Sequence, residues 1–189
     1  MTMVMIGEVI PDLEAEVYHD YEIKKIKLSD YRGKWLILAF YPRDFTFVCP
    51  TELEDLADHY EEFKKIGAEI ISVSTDSAFV HLAWHNDSPA IGKVQYPMMA
   101  DTTGKVCRAF GTMIEEEGKS LRGTFLIDPE GILKAMDIHD NSIGRTSKEI
   151  LRKLQAAIYV RENPGMVCPA NWSPGDEGME ESLDKVGKI

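Results

Sequence analysis

The sequence of residues 35–67 predicts a buried strand, a short loop and a helix in direct succession. Residues 35–41, WLILAFY, form an unbroken apolar run with the length of a buried strand. Pro50 suits the first turn of a helix, and Gly67 stands where that helix would end. The apolar residues between them recur at helical spacing: Leu53, Leu56, Ala57, Tyr60, Phe63 and Ile66. This strand-to-helix connection predicts a fold of the α/β class.

Cys49 lies at the predicted start of this helix. Backbone N–H groups at a helix start have no partners within the helix, and the helix dipole favours negative charge there, so the position stabilises a thiolate. Thr46 adds a hydroxyl three residues earlier, and Pro42 ends the strand. We interpret Cys49 as a candidate nucleophile. The alternative is a buried structural thiol, since free cysteine packs as a small apolar side chain.

The rest of the chain alternates strands and helices. Residues 13–28 have the pattern of a β-hairpin, Ala68–Ser74 that of a strand, and Ser147–Asn163 that of an amphipathic helix. Residues 123–138 predict two strands joined by the turn at residues 128–131, Asp-Pro-Glu-Gly. Because this second hairpin is antiparallel, we predict a mixed central sheet flanked by helices.

We predict one domain over residues 1–165 and a C-terminal arm over residues 166–189. A length of 189 residues suits a single domain. The final residues are rich in proline, glycine and acidic side chains and have weak periodicity, which is typical of an extended segment. Cys168 lies on this arm, and therefore on a segment that we expect to move.

The net charge and the number of cysteines exclude several classes of partner and of cellular location. The net charge of −11 argues against nucleic acid and anionic membrane as partners, since both favour a basic surface. We find no signal peptide and no apolar run that could span a membrane, and we expect a cytoplasmic protein. Cys49, Cys107 and Cys168 are too few for a secreted disulfide framework and suit redox chemistry in a reducing compartment.

The sequence predicts neither a metal site nor a bound cofactor. His81 and His85 have the spacing of metal ligands on a helix, but the glutamate of an HExxH motif and a third ligand are missing. Nothing resembles a dinucleotide or flavin fingerprint. We therefore expect reducing power to arrive through a partner protein.

The segment PRDFTFVCPTEL (42–53) resembles the P-x-x-x-T-x-x-C motif of the peroxiredoxins. The likeness continues through RGTFLIDPEG (122–131), IGR (143–145) and VCPANW (167–172), and it covers almost the whole chain. Within that family, the chain resembles the typical two-cysteine peroxiredoxins of the bacterial alkyl hydroperoxide reductase C type. The resemblance implies a thioredoxin-like fold with an N-terminal β-hairpin and an extended C-terminal arm.

The resemblance also implies roles for five residues, four in the first motif and one in the RGTFLIDPEG segment. Cys49 would be the peroxidatic thiol, and Thr46 would hold the thiolate and bind the peroxide. Pro42 would screen the pocket from water. Arg122 would stabilise the thiolate charge, and Glu52 would orient an arginine by ion pairing.

The second motif implies a resolving thiol. Cys168 of the other protomer in a homodimer would form a disulfide with the oxidised Cys49, and five such dimers would form a decameric ring. A thioredoxin-like protein or a flavoprotein disulfide reductase would then restore both thiols. Cys107 lies outside both motifs, beside Val106, Ala109 and Phe110, and we interpret it as a packed thiol.

The predicted function is a thiol-specific peroxidase that reduces hydrogen peroxide and organic hydroperoxides in antioxidant defence. A rival from another class is a redox-gated chaperone or a peroxide sensor. An enzyme would turn over many times with a reductant, whereas a sensor would be oxidised once per chain.

Overall fold

A computed structural model describes residues 3–187 of the chain. It forms two compact units, Met1–Ser147 and Lys148–Ile189. The predicted boundary between domain and arm lies at residue 165, inside the second unit. The first two residues of the predicted domain and the last two of the predicted arm lie outside the described part of the chain.

The first unit contains a sequence of strands and helices that matches the predicted alternation. Its strands are β1 (Glu14–His19), β2 (Glu22–Lys27), β3 (Trp35–Phe40), β4 (Ala68–Ser74), β5 (Met98–Ala100), β6 (Met113–Ile114), β7 (Lys119–Ser120), β8 (Arg122–Ile127) and β9 (Leu133–His139). Its helices are α1 (Cys49–Asp58), α2 (Tyr60–Lys65), α3 (Ala78–Asp87) and α4 (Lys105–Ala109). Short 3-10 turns cover Leu28–Tyr31 and Ile91–Lys93.

Seven of these strands form one mixed sheet in the order β2-β1-β5-β4-β3-β8-β9. The neighbours β3 and β4, and β4 and β5, are parallel, whereas β8 pairs antiparallel with both β3 and β9. The predicted α/β class and mixed sheet are confirmed. The N-terminal β-hairpin is confirmed as well, since β1 and β2 pair antiparallel from Glu14 with Lys27 to His19 with Glu22.

The centre of the sheet is buried on both faces. Every residue of β3 and of β8 is buried, which explains the unbroken apolar run of β3. The core includes Leu36, Leu38 and Phe40 of β3, and the Phe40 ring lies 5.3 Å from that of Phe125 on β8. This rigid centre supports both chain segments that reach the candidate site, the loop after β3 and the start of β8.

One predicted helix is divided in two. The apolar pattern predicts a helix continuous as far as Ile66, but α1 ends at Asp58 and α2 begins at Tyr60, on either side of His59. The His59 ring lies 2.8 Å from the Asp55 carbonyl oxygen and 2.9 Å from Ser147 Oγ. The Asp55 carbonyl still accepts the His59 backbone N–H at 3.3 Å, so the ring shares this oxygen with the helical hydrogen bond. The contact with Ser147, 88 residues away, holds the ring there at the break between the two helices.

The second unit consists of a helix and the segment after it. It contains α5 (Ser147–Glu162, whose first residue ends the first unit), β10 (Met166–Val167), β11 (Met179–Glu180) and a 3-10 turn at Leu183–Lys185. The predicted arm is therefore not wholly extended, because β10 and β11 pair as a small antiparallel hairpin. Trp172 is buried, with its ring 5.1 Å from that of Tyr159 on α5.

Candidate active site

Cys49 is the first residue of α1, as the sequence predicts. The Val48 carbonyl accepts the backbone N–H groups of Thr51 and Glu52 at 3.1 and 3.2 Å, and Pro50 occupies the first turn. The Cys49 side chain is fully buried. The sulfur therefore lies at the positive end of a helix and away from bulk water, where electrostatic interactions are strong.

Arg122 is the first residue of β8, and its side chain reaches the Cys49 sulfur. Its Nη1 atom lies 3.5 Å from Cys49 Sγ and 2.6 Å from Glu52 Oε2, and its Nε donates to the Asn141 carbonyl at 2.9 Å. These bonds orient the guanidinium with one nitrogen against the sulfur. Such an arrangement stabilises a thiolate, and also the negative charge that develops on a nearby oxygen.

Glu52 holds two arginines in place. Besides Arg122, its carboxylate accepts Nε of Arg145 at 2.9 Å, Nη2 at 3.1 Å and the Arg145 backbone N–H at 2.9 Å. Arg145 Nη1 also donates to the Gly123 carbonyl at 2.7 Å and to Thr124 Oγ1 at 3.1 Å. Sequence reasoning missed Arg145 as a site residue, although it ends the IGR motif that carried the resemblance.

The pKa of Glu52 reflects this pairing. Burial would raise the pKa of the carboxyl group, but the hydrogen bonds and charge of Arg145, with the charge of Arg122, outweigh it and lower the pKa below its ordinary value of 4.5. The unfolded chain therefore binds a proton at a higher pH than the folded chain does. The stabilisation is complete above pH 4.5 and is lost as the pH falls through the folded-state pKa.

We expect Glu52→Gln to weaken the acid sensitivity of stability. Each unit by which the pKa is lowered corresponds to about 1.4 kcal/mol of unfolding free energy lost on acidification. Urea denaturation at pH 6 and at pH 3.5 measures this loss in the wild type and in the variant. Glu116→Gln, which removes an exposed carboxylate, serves as the control. An equal pH dependence in wild type and Glu52→Gln would show that Glu52 does not titrate as described.

Thr46 and Pro42 belong to the loop between β3 and α1. Pro42 is buried, and Thr46 Oγ1 donates to the Arg43 carbonyl at 2.9 Å. With its proton directed to Arg43, the hydroxyl oxygen is oriented to accept a hydrogen bond from another donor. Direct contacts therefore join Cys49 to Arg122 and Arg122 to Glu52, whereas the hydrogen bond of the Thr46 side chain lies within its own loop.

The other two cysteines differ from Cys49. Cys107 lies in the hydrophobic core, and its burial, with the nearby Asp101 carboxylate, raises the pKa of the thiol to about 12. The interpretation of Cys107 as a packed thiol is confirmed by this burial. Cys168 is half-buried, its Sγ lies 3.7 Å from the Ala156 carbonyl oxygen, and its burial raises the pKa of the thiol, opposed by the charge of Arg152.

The two histidines with metal-ligand spacing use their ring nitrogens in hydrogen bonds. His81 contacts Asp44 and the Met99 carbonyl, and His85 contacts Tyr18 and the Val94 carbonyl. Within residues 3–187 no three histidine, cysteine or acidic side chains are grouped as metal ligands. Across the same residues, no helix is long and apolar enough to cross a membrane.

An α/β fold with a mixed sheet, in which a buried cysteine at a helix start contacts a guanidinium, is the architecture of a thiol-dependent peroxidase. Comparison with known proteins supports this class. Residues 6–136 match the model of the AhpC/TSA family, and residues 159–188 match that of the C-terminal domain of 1-Cys peroxiredoxin. The chain belongs to the AhpC/TSA family of peroxiredoxins.

Whole-length relatives support this assignment. The chain is 47% identical over 188 residues to alkyl hydroperoxide reductase C of Amphibacillus xylanus, covering 99% of this chain and 100% of that protein. It is 46% identical over 187 residues to the protein of the same name from Salmonella typhimurium, with the same coverage.

Solved structures agree as well. A crystal structure of Enterococcus faecalis AhpC matches with a TM-score of 0.85 and 44% identity, over 88% of this chain and 100% of that one. Reduced Plasmodium vivax 2-Cys peroxiredoxin matches with a TM-score of 0.91 and 33% identity, over 95% and 94%. The predicted thioredoxin-like fold is confirmed.

The protein is therefore a peroxiredoxin peroxidase, an oxidoreductase that acts on peroxides in antioxidant defence. Membership of this family implies a peroxide substrate and self-association.

Proposed function

We propose that Cys49 is the nucleophile that reduces hydrogen peroxide and organic hydroperoxides. A sulfur lone pair attacks one peroxide oxygen, the O–O bond breaks, and the departing oxygen takes a proton to leave as water or an alcohol. Cys49 becomes a sulfenic acid. The observation that carries this proposal is the 3.5 Å contact between Arg122 Nη1 and Cys49 Sγ at the start of a helix.

Three further residues prepare the reaction in this proposal. Thr46 accepts a hydrogen bond from the peroxide, because its own proton is directed to the Arg43 carbonyl. Pro42, which is buried, keeps water from the sulfur. Glu52 orients Arg122 through the 2.6 Å ion pair, so that the guanidinium is already in place when charge develops on the departing oxygen.

We propose Cys168, on the arm of residues 166–189, as the resolving thiol, acting from a second protomer. Its thiolate attacks the Cys49 sulfenic sulfur, an S–S bond forms, and the sulfenic oxygen leaves as water. Because Cys49 is fully buried, the first turn of α1 must open before another thiol reaches it. In this proposal the domain of residues 1–165 supplies the peroxide pocket and the arm supplies the second sulfur.

A separate reductant completes the catalytic cycle by restoring both thiols. We propose that a thioredoxin-like protein or a flavoprotein disulfide reductase reduces the disulfide by thiol exchange, in the cytoplasm.

We also propose a homodimer that assembles into a decameric ring. Three aromatic side chains, Phe45, Phe47 and Phe79, are 55%, 94% and 70% exposed, which favours burial against another copy. Sedimentation of the reduced and the oxidised protein measures the assembly.

Oxidation by one equivalent of peroxide is expected to give a disulfide-linked dimer on a non-reducing gel. Cys49→Ser and Cys168→Ser should each give only monomer bands, because each variant lacks one sulfur of the bridge. Cys107→Ser is the matched control and should still form the dimer, since its thiol is buried in the core. An oxidised wild-type protein that runs only as a monomer would place the bridge within one chain.

Peroxide consumption with catalytic amounts of the protein separates the enzyme from the rival sensor or chaperone. A reductant paired with the oxidised chain should support many turnovers for each chain. Comparing a thioredoxin system with a flavoprotein disulfide reductase identifies the donor class. Oxidation that stops at one equivalent with both donors would favour the sensor.

A further inference from the structure

A buried acid–histidine pair lies beneath the loop that carries Thr46. Asp44 belongs to this loop, and His81 belongs to α3. His81 Nδ1 lies 2.7 Å from Asp44 Oδ2, and both side chains are almost fully buried, with 0% and 1% of their surfaces exposed. The peroxidase mechanism above uses neither residue.

The pair has a defined hydrogen-bond pattern. His81 Nε2 lies 3.2 Å from the Met99 carbonyl oxygen, so both ring nitrogens face oxygen acceptors. A proton must therefore lie between Nδ1 and Asp44 Oδ2, whichever atom holds it. Tyr41 Oη donates to the other carboxylate oxygen at 2.7 Å. Burial, with the charge of Asp44, raises the pKa of Tyr41 well above its ordinary value, which keeps this hydroxyl a donor.

The backbone of Asp44 is held as firmly as its side chain. Its N–H donates to Asp76 Oδ2 at 2.9 Å, and Ser74 Oγ donates to the same oxygen at 3.0 Å. Asp44 is thus bonded to Tyr41, just after the end of β3, to Asp76, just after the end of β4, and to His81 of α3. Charged and polar groups from three separate parts of the chain therefore hold this single loop residue.

The next residues of the loop explain why such an anchor matters. Phe45 has φ of 53°, a left-handed conformation that a residue with a Cβ adopts at a cost. Thr46 follows directly, and its hydroxyl bonds back to the Arg43 carbonyl. A strained residue relaxes unless its neighbours are held, and relaxation here would move the Thr46 oxygen.

We propose that His81 and Asp44 are positioning residues for the peroxide reaction, which hold the loop so that Thr46 presents its oxygen to the peroxide beside Cys49. The inference rests on the role proposed for Thr46. It predicts that the contact of His81 with Asp44 matters for the rate, and that the contact of His81 with Met99 does not.

Two amide substitutions separate these contacts. In His81→Gln the side-chain amide takes the place of Nε2, which keeps the Met99 contact and loses the Asp44 contact. In His81→Asn the amide takes the place of Nδ1 and keeps the Asp44 contact. Both variants are polar and of similar size. His85→Gln, one helical turn further along α3, is the control, because His85 contacts Tyr18 and the Val94 carbonyl instead of the loop.

Stopped-flow oxidation of Cys49 by hydrogen peroxide measures the effect, and alkylation of Cys49 by iodoacetamide, which needs no peroxide site, is the second readout. His81→Gln is expected to slow the peroxide reaction about 10- to 100-fold, since small displacements of reacting groups have effects of this size. His81→Asn and His85→Gln are expected to stay within about threefold of wild type, and the alkylation rates of all variants within about twofold. Equal losses in the Gln and Asn variants, or an equal loss in alkylation, would overturn the proposal.

A double variant tests whether His81 acts through Thr46. If it does, His81→Gln in a Thr46→Val background causes no further loss, because the group that it positions is already absent. Additive losses would refute the inference, as would a wild-type rate in His81→Gln when Thr46→Val is slow. A wild-type rate in Thr46→Val itself would instead remove the role proposed for Thr46, so the two failures are distinguishable.

Discussion

Cys49→Ser is expected to abolish peroxide reduction, with the rate falling by at least about 10³-fold. The substitution replaces the sulfur next to Arg122 Nη1 with a hydroxyl, and an alkoxide does not form at neutral pH in the way that a thiolate does. Stopped-flow measurement of peroxide consumption with reductant present checks the result.

Cys107→Ser is the matched control for this experiment. The Cys107 side chain lies in the core and interacts with Asp101, so the change can lower stability, but the peroxidase rate of the folded protein should stay near that of wild type. A loss in Cys107→Ser as large as that in Cys49→Ser would contradict the assignment of the nucleophile.

Arg122→Met is expected to lower kcat/KM for peroxide by about 10²- to 10³-fold. The substitution removes the guanidinium that contacts Cys49 Sγ, and with it the positive charge that stabilises both the thiolate and the departing oxygen. The start of α1 should stay in place, because Glu52 keeps its three bonds to Arg145. Circular dichroism and steady-state kinetics together separate a loss of rate from a loss of fold.

Arg108→Met is the control for loss of an arginine. Arg108 forms a bidentate pair with Glu115 on the surface, away from α1, and its removal should leave kcat/KM unchanged. If Arg122→Met retained more than about a third of the wild-type kcat/KM, the electrostatic role of Arg122 would be wrong.

The elements that local sequence specifies were predicted well. The apolar run of β3, the proline after Cys49 and the Asp-Pro-Glu-Gly turn each depend on residues close together in the chain. Their backbone preferences follow from steric restriction and from burial of apolar side chains, which neighbouring residues suffice to set. The position of Cys49 at a helix start is a local property of this kind.

The partners of Cys49 could not be derived from local pattern. Arg122 lies 73 residues from Cys49, and Arg145 lies 93 residues from Glu52. In the sequence alone, nothing near either arginine distinguishes it from an ordinary charged surface residue. The resemblance to the peroxiredoxins indicated Arg122 and Glu52 as site residues. Only the pairing of β3 with β8, however, explains how a guanidinium on β8 reaches the helix that follows β3.

The sequence by itself determined the α/β class, the strand-to-helix connection and the buried core, because periodicity and turn chemistry act over a few residues. The tertiary structure alone decided three features: the break of the helix at His59, the joining of Arg122 and Arg145 through Glu52, and the anchoring of Asp44 by His81. Each depends on a buried or partly buried polar group meeting a partner 37 to 93 residues away. A buried charge is stable only when such a partner is in place, and which partner arrives is settled by the packing of whole elements.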